Sequence, residues 1–136
     1  MFEYTTPLRL ADTDAAGVLF FARQFDLIHE AYEGFMRSVG FGLDRLLHDE
    51  SFFISIVRAE SEYRAPVWYG DTLRIALDVE RIGQSSYVIA YTIDNGRGTV
   101  GTARTVHVCV GRESKAKRPL PAGLAARLAG HLAATS

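Results

Sequence analysis

Apolar side chains at Phe21, Phe25, Ile28, Tyr32, Phe35 and Val39 recur at alternating spacings of four and three, while Arg23, Asp26, Glu30, Glu33 and Arg37 keep the same rhythm out of phase. That period predicts one long helix with a single buried side, running from about Phe21 and ending before Gly40-Phe41-Gly42. A short helical piece is expected over Leu43 to His48. Further on the period changes to two. Leu73, Ile75, Leu77 and Val79 alternate with Arg74, Asp78 and Glu80, and Tyr87, Ile89, Tyr91 and Ile93 repeat the pattern, so both segments read as half-buried strands. Residues 52 to 65, closed by Pro66, and residues 99 to 110, opened by the Asp94-Asn95-Gly96-Arg97-Gly98 turn, complete four successive strand candidates resembling a meander. Residues 2 to 10 read as a further strand, and Pro7 there favours a sheet edge or a bulge. An alanine- and leucine-rich stretch from Gly123 to Ala134 is expected to form a terminal helix.

One strand, a long helix and then four strands imply an α+β domain, an antiparallel sheet of about five strands packed on one helix. The 136 residues fit a single domain, 1–136, and carry no repeat or linker. A sheet covered by only one helix leaves edges and apolar surface open, so a homo-oligomer is expected. A formal charge of −1 argues against a nucleic-acid partner, and no apolar run approaches the roughly 18 residues of a membrane span. Cys109 is the single cysteine, which excludes an internal disulfide and fits a reducing cytoplasm.

Candidate chemistry gathers where the first strand leads into the helix, at Leu10-Ala-Asp-Thr-Asp-Ala-Ala-Gly-Val-Leu-Phe-Phe21. Helix starts expose N–H groups that attract anions, including an oxyanion formed in acyl transfer. Capping is the commonest work of an aspartate here, and Asp12 and Asp14, two apart, need not share a role. Asp14 lies nearer the helix, followed by Gly17, where backbone can approach a ligand closely. Asp14 is therefore the candidate catalyst, as nucleophile or as general base, with Gly17 a candidate oxyanion amide.

Other patterns exclude more than they include. His29-Glu-Ala-Tyr-Glu33 opens like a helical zinc-protease motif, but Glu33 stands where the second histidine belongs, so no metal site is expected and His29 with Glu33 reads as a solvated pair. His48, His107 and His131 lack ligand spacing, and His107 reads as a satisfied sheet residue. No nucleophile elbow, phosphate loop or dinucleotide glycine pattern is present, and Cys109 sits in an apolar strand. Arg112, Lys115, Lys117 and Arg118 form a basic cluster after the last strand, either a solvated tail or a clamp for the phosphates of a nucleotide-bearing substrate.

Ala11-Asp-Thr-Asp-Ala-Ala-Gly-Val-Leu-Phe-Phe21 with His29-Glu-Ala-Tyr-Glu33 resembles the signature of hotdog-fold acyl-CoA thioesterases of the 4-hydroxybenzoyl-CoA thioesterase type. Ala11 to Asp14, Tyr69-Gly-Asp71, Thr105-Val-His-Val-Cys109 and the tail ending Pro119-Leu-Pro121 are most similar to the group acting on 1,4-dihydroxy-2-naphthoyl-CoA in quinone biosynthesis. The resemblance implies a sheet wrapped around the long helix, homodimers assembling to homotetramers, and active sites between protomers. It implies Asp14 as the catalytic carboxylate, the Phe21 amide as the group polarising the thioester carbonyl, and no cofactor beyond coenzyme A within the substrate. Short-chain acyl hydrolases of related type show histidine and asparagine after the glycine, where this chain has Val18-Leu-Phe-Phe-Ala22. An aromatic acyl group fits better, with a short- or medium-chain acyl-CoA or acyl-carrier-protein thioesterase as the alternative. A hydratase would want a histidine five residues after its aspartate, where Leu19 and Gly17 stand instead. A non-catalytic acyl-CoA binding module would be expected to lack the carboxylate or to carry an effector domain.

Overall fold

The computed structural model describes residues 1–49 and 51–133. Strands β1 (Phe2–Pro7), β2 (Phe52–Tyr63), β3 (Thr72–Ile82), β4 (Ser86–Asp94) and β5 (Thr99–Gly111) form one antiparallel sheet in the order β1-β3-β4-β5-β2. Helices α1 (Arg23–Ser38), α2 (Leu43–Leu47) and α3 (Leu124–Ala129) complete it. The sequence-derived α+β architecture and its strand count hold. The meander is confined to β3, β4 and β5, because β2 crosses to the far edge and pairs with β5. Pattern reports which face of a strand is buried, and says nothing of which neighbour it takes. Pro7 ends the opposite edge strand, where a missing N–H breaks no ladder.

The sheet curls around α1, whose buried residues are Gln24, Leu27, Ile28, Ala31, Tyr32, Phe35 and Met36. They meet Leu73, Ile75, Leu77 and Val79 of β3 and Tyr87, Ile89, Tyr91 and Ile93 of β4, every one at most 3% exposed. Full burial of each Leu, Ile, Val, Phe or Met among them contributes roughly 1.5–3 kcal/mol. The helical stripe is displaced from the expected one: Phe21 precedes the first helical turn and is 64% exposed. Leu27, Ala31 and Met36 take the buried space instead, so the stripe is wider and rotated.

α1 stops as the punctuation predicts. Gly40 takes a φ of 85°, its N–H donates to Arg37 O, and Phe41 N–H reaches back to Met36 O, the paired bonds of a Schellman turn. α3 covers β3 with Leu124 and Leu128, but the helix expected from Gly123 to Ala134 is shorter: it ends at Ala129 with Gly130 as its cap, and the chain then runs beside β3, where Val79 N–H donates to His131 O and Ala133 N–H to Val79 O; Ala134 itself lies outside the described residues. No helix among the described residues is long and apolar enough to cross a membrane.

Candidate active site

The loop between β1 and α1 is held on both flanks by backbone. Thr13 bridges Leu19, Val18 bridges Trp68, Leu19 N–H donates to Val67 O at 2.7 Å, and Tyr69 N–H donates to Gly17 O at 3.1 Å. Asp14 heads the turn. Its Oδ1 accepts from Ala16 N–H at 2.8 Å and Val18 N–H at 3.4 Å, and its side chain is exposed. A correction follows: Asp14 lies on this small hairpin nine residues ahead of Arg23, rather than beside the helix start, because its carboxylate and the φ of 81° at Gly17 close a turn of their own.

Asp12 has the opposite environment. Its side chain is 1% exposed; one carboxylate oxygen accepts from Arg9 N–H and Arg9 Nε, and the other from the Arg23 guanidinium at 3.1 Å. Desolvation raises its pKa, but the hydrogen bonds from Arg9 and Arg23 outweigh it and hold the carboxyl below the ordinary range. Asp12 is a clamp that ties the loop to the first turn of α1.

Of the two amides singled out for an oxyanion, Gly17 N–H is spent on Asp14 O at 3.0 Å. Phe21 N–H has no acceptor among the described residues, and α1 has no side-chain cap. Tyr63 Oη donates to Phe21 O at 2.5 Å, tying the same peptide region to the end of β2. Phe21 with Gln24, Tyr63 and Val67 borders a cavity of about 370 Å³. Gln24 is a residue that periodicity alone passes over. It is 1% exposed, donates to Ser61 Oγ at 2.6 Å, and sits over Gly101, where any Cβ would lie 2.9 Å from its Nε2. The available signal was a polar residue three before Leu27 on a buried face, opposite a glycine within a strand.

A second cavity of about 290 Å³ lies between α1 and the sheet, lined in part by Tyr91 and Thr105. Behind it His107 is stacked between Tyr32 and Tyr87, with ring centroids 4.5 and 4.7 Å away. Its Nε2 lies 2.8 Å from Thr105 Oγ1, which lies 2.9 Å from Tyr91 Oη; its Nδ1 is buried with no partner among the described residues. The satisfied sheet histidine expected from sequence is therefore satisfied at one nitrogen only. Burial, with a smaller contribution from His29, pushes His107 down to about 3 from 6.5. Below pH 6.5 the unfolded chain takes up a proton that the folded chain refuses until about pH 3. Stability is thus full above pH 6.5 and falls toward pH 3 by about 1.4 kcal/mol per pH unit. Urea titrations at pH 7.5 and 5 are expected to show that decline, and His107→Phe, which keeps the stack, is expected to remove this component.

The basic cluster is elsewhere. Arg112 Nε donates to Asp49 O, Arg118 donates to Ser51 O, and the cations of Arg112 and Lys115 lie 5.7 and 6.0 Å from the Phe53 ring. Lys117 bridges Val110 through its backbone. These residues surround the first residues of β2, whereas Phe21 meets Tyr63 at its last. At about 3.3 Å per residue the ends are roughly 35 Å apart. His29 Nδ1 and Glu33 form the expected helix-surface pair at 3.3 Å. Cys109 is buried, and burial raises its thiol pKa, which disfavours a nucleophilic thiolate.

The family model of the thioesterase-like superfamily matches residues 8–128. A 1,4-dihydroxy-2-naphthoyl-CoA hydrolase of Synechococcus elongatus is 34% identical over 121 residues, covering 88% of this chain and 89% of that protein. Another from Nostoc punctiforme is 35% identical over 120 residues, covering 88% and 81%. The crystal structure of a 1,4-dihydroxy-2-naphthoyl-CoA thioesterase from Synechocystis superposes with a TM-score of 0.90 at 29% identity, covering 94% of this chain and 95% of that one.

Proposed function

Because this chain belongs to the thioesterase-like superfamily, we propose that it hydrolyses an aromatic acyl-CoA, of the 1,4-dihydroxy-2-naphthoyl type, to the free acid and coenzyme A. The observation that carries the reading is an exposed Asp14 on a backbone-pinned turn, in a chain whose Phe21 amide near the start of α1 is unpaired among the described residues. In this reaction the thioester carbonyl carbon is attacked by water whose proton passes to Asp14, or by Asp14 itself to give an anhydride that water then opens. The carbonyl oxygen takes the developing charge against Phe21 N–H, the C–S bond breaks, and the thiolate leaves and is protonated. No metal or organic cofactor enters this scheme.

The protein is proposed to act as a homodimer joined at β2. This 12-residue strand is a sheet edge, unpaired among the described residues, that exposes Ile56 and Val57 by 43% and 59% beside the charged side chains of Arg58, Glu60 and Glu62, so its backbone and these two apolar residues are free to take a partner strand. Antiparallel pairing of two β2 edges about a two-fold axis would lay the Phe52 end of the partner strand beside the Tyr63 end of this one. The partner's basic cluster would then stand near this protomer's Phe21. Arg112, Lys115, Lys117 and Arg118 are accordingly proposed to hold the coenzyme A phosphates in trans.

A panel of benzoyl-, 2-naphthoyl-, 1,4-dihydroxy-2-naphthoyl- and straight-chain acyl-CoA, read by thiol release, tests the activity. Dihydroxynaphthoyl-CoA is expected to give the highest kcat/KM; faster cleavage of straight-chain thioesters would reject the aromatic assignment.

A further inference from the structure

The cavity between α1 and the sheet is walled by Phe25, Ile28, Ile56 and Ala59, and the buried hydroxyl-bearing residues of its lining are Tyr91 and Thr105, 3% and 5% exposed. Asp26 and His29 complete the lining with side chains 60% and 45% exposed, so they remain solvated. Its volume of about 290 Å³ is at the small end of ligand sites, roughly 300 Å³ upward, which suits one or two fused rings. Phe25 follows Phe21 by four residues, so an acyl carbonyl held at the Phe21 amide would leave its ring within reach of this space.

The two hydroxyls are chemically unbalanced. His107 is buried and neutral, and its Nδ1 has no partner among the described residues. Either tautomer leaves one donor over: a hydrogen on Nδ1 would be sealed in without an acceptor, whereas a hydroxyl proton of Tyr91 or Thr105 sits on a residue that lines the cavity and can meet an acceptor there, so the hydrogen belongs on Nε2 and is donated to Thr105 Oγ1. Thr105 and Tyr91 then hold two hydroxyl protons and share one hydrogen bond, at 2.9 Å. One O–H is left over whichever of the two donates to the other. Both residues line the cavity, and no third acceptor for either hydroxyl is present among the described residues.

We propose that this cavity is the acyl-ring pocket and that Tyr91 and Thr105, oriented by His107, are specificity-determining residues that donate one hydrogen bond to an oxygen substituent on the ring. The inference rests on the aroyl-CoA hydrolase reading. The matching ligand carries an acceptor oxygen on the ring portion remote from the thioester: a phenol or a ring ketone. A ring without that oxygen leaves the surplus O–H unpaired in an apolar pocket, and the discrimination expected for one such buried group is roughly 5- to 150-fold. His107 acts only through Thr105 and is a positioning residue.

The test compares kcat/KM for 1,4-dihydroxy-2-naphthoyl-CoA and 2-naphthoyl-CoA in the parent protein, in Tyr91→Phe, and in Tyr91→Phe/Thr105→Val. Tyr91→Phe leaves the Thr105 proton behind and is expected to narrow the preference; the double variant removes the last donor and is expected to bring the ratio near one, through loss on the dihydroxylated substrate. Tyr87→Phe removes the hydroxyl that faces Tyr32, outside the cavity lining, and is expected to keep the parental ratio. A parental ratio near one, or an unchanged ratio in a folded double variant, overturns the inference and leaves the hydrolase reading standing. If the parent cleaves neither thioester, the hydrolase reading fails, and calorimetric binding of 1,4-dihydroxy-2-naphthoate against 2-naphthoate decides the pocket by itself. Tighter binding of the dihydroxy acid by the parent, narrowed in Tyr91→Phe and lost in Tyr91→Phe/Thr105→Val, supports the pocket; equal binding overturns it. Should the double variant not fold, the narrowing in Tyr91→Phe carries the same decision.

Discussion

Asp14→Asn is expected to lower kcat for an aroyl-CoA by roughly 10²- to 10⁴-fold, the contribution of a positioned base or nucleophile, and to leave the fold intact. The structural half of that expectation follows from the turn. Oδ1 of Asp14 accepts from Ala16 and Val18 N–H, and an amide oxygen accepts the same bonds, so unfolding free energy should move by no more than about 0.5 kcal/mol. KM should change little, so that kcat and kcat/KM fall together, the mark of an interaction made at the transition state. Steady-state thiol release beside a urea titration reads both halves. Asp12→Asn supplies the contrast. It weakens the clamp on Arg9 and Arg23, so its loss is expected mainly in stability, about 1–3 kcal/mol, with turnover less affected than by Asp14→Asn. If Asp14→Asn hydrolyses the thioester at the parental rate, the carboxylate is not the catalyst.

These two aspartates mark how far the sequence could be read. Period four-and-three over 21–39 and period two over 73–93 are local consequences of burial on one side, and α1, β3 and β4 lie where those periods put them. The Gly40 stop was legible for the same reason: a positive φ is a local demand that glycine meets. The swap of β2 to the far edge was not legible. Its burial pattern is irregular, its register slips between Ile56 and Arg58, and its partner β5 lies 36 residues beyond Tyr63 or more, so nothing local encodes the pairing. Among the candidate site residues, Asp14 could be picked out by residue type and proximity to a glycine. That Asp12 is buried between two arginines, while Asp14 stays exposed, depends on Arg23 arriving from the next element. Tyr91, Thr105 and His107 looked like sheet core because each is buried; only the count of donors and acceptors among them distinguishes a structural stack from an unfinished hydrogen bond.

The position of the basic cluster leads to the second large effect. Lys115→Glu/Lys117→Glu is expected to raise KM for acyl-CoA by roughly 10- to 100-fold with a smaller change in kcat, because the charges meet phosphates remote from the reacting carbon. In one protomer that cluster lies at the opposite end of β2 from Phe21, roughly 35 Å away by strand length. Coenzyme A cannot connect those points within one chain without crossing the whole strand, whereas the antiparallel β2 dimer shortens the path through the partner. Hybrid dimers separate the two geometries. A dimer pairing one Asp14→Asn protomer with one Lys115→Glu/Lys117→Glu protomer, isolated through two different affinity tags, contains one site with a native Asp14 and a native cluster if the cluster works in trans. Parental KM with about half the parental kcat per dimer is then expected. If the cluster works in cis, every native Asp14 sits with reversed charges and the hybrid keeps the high KM. Parental KM in the charge-reversed homodimer would remove the clamp altogether.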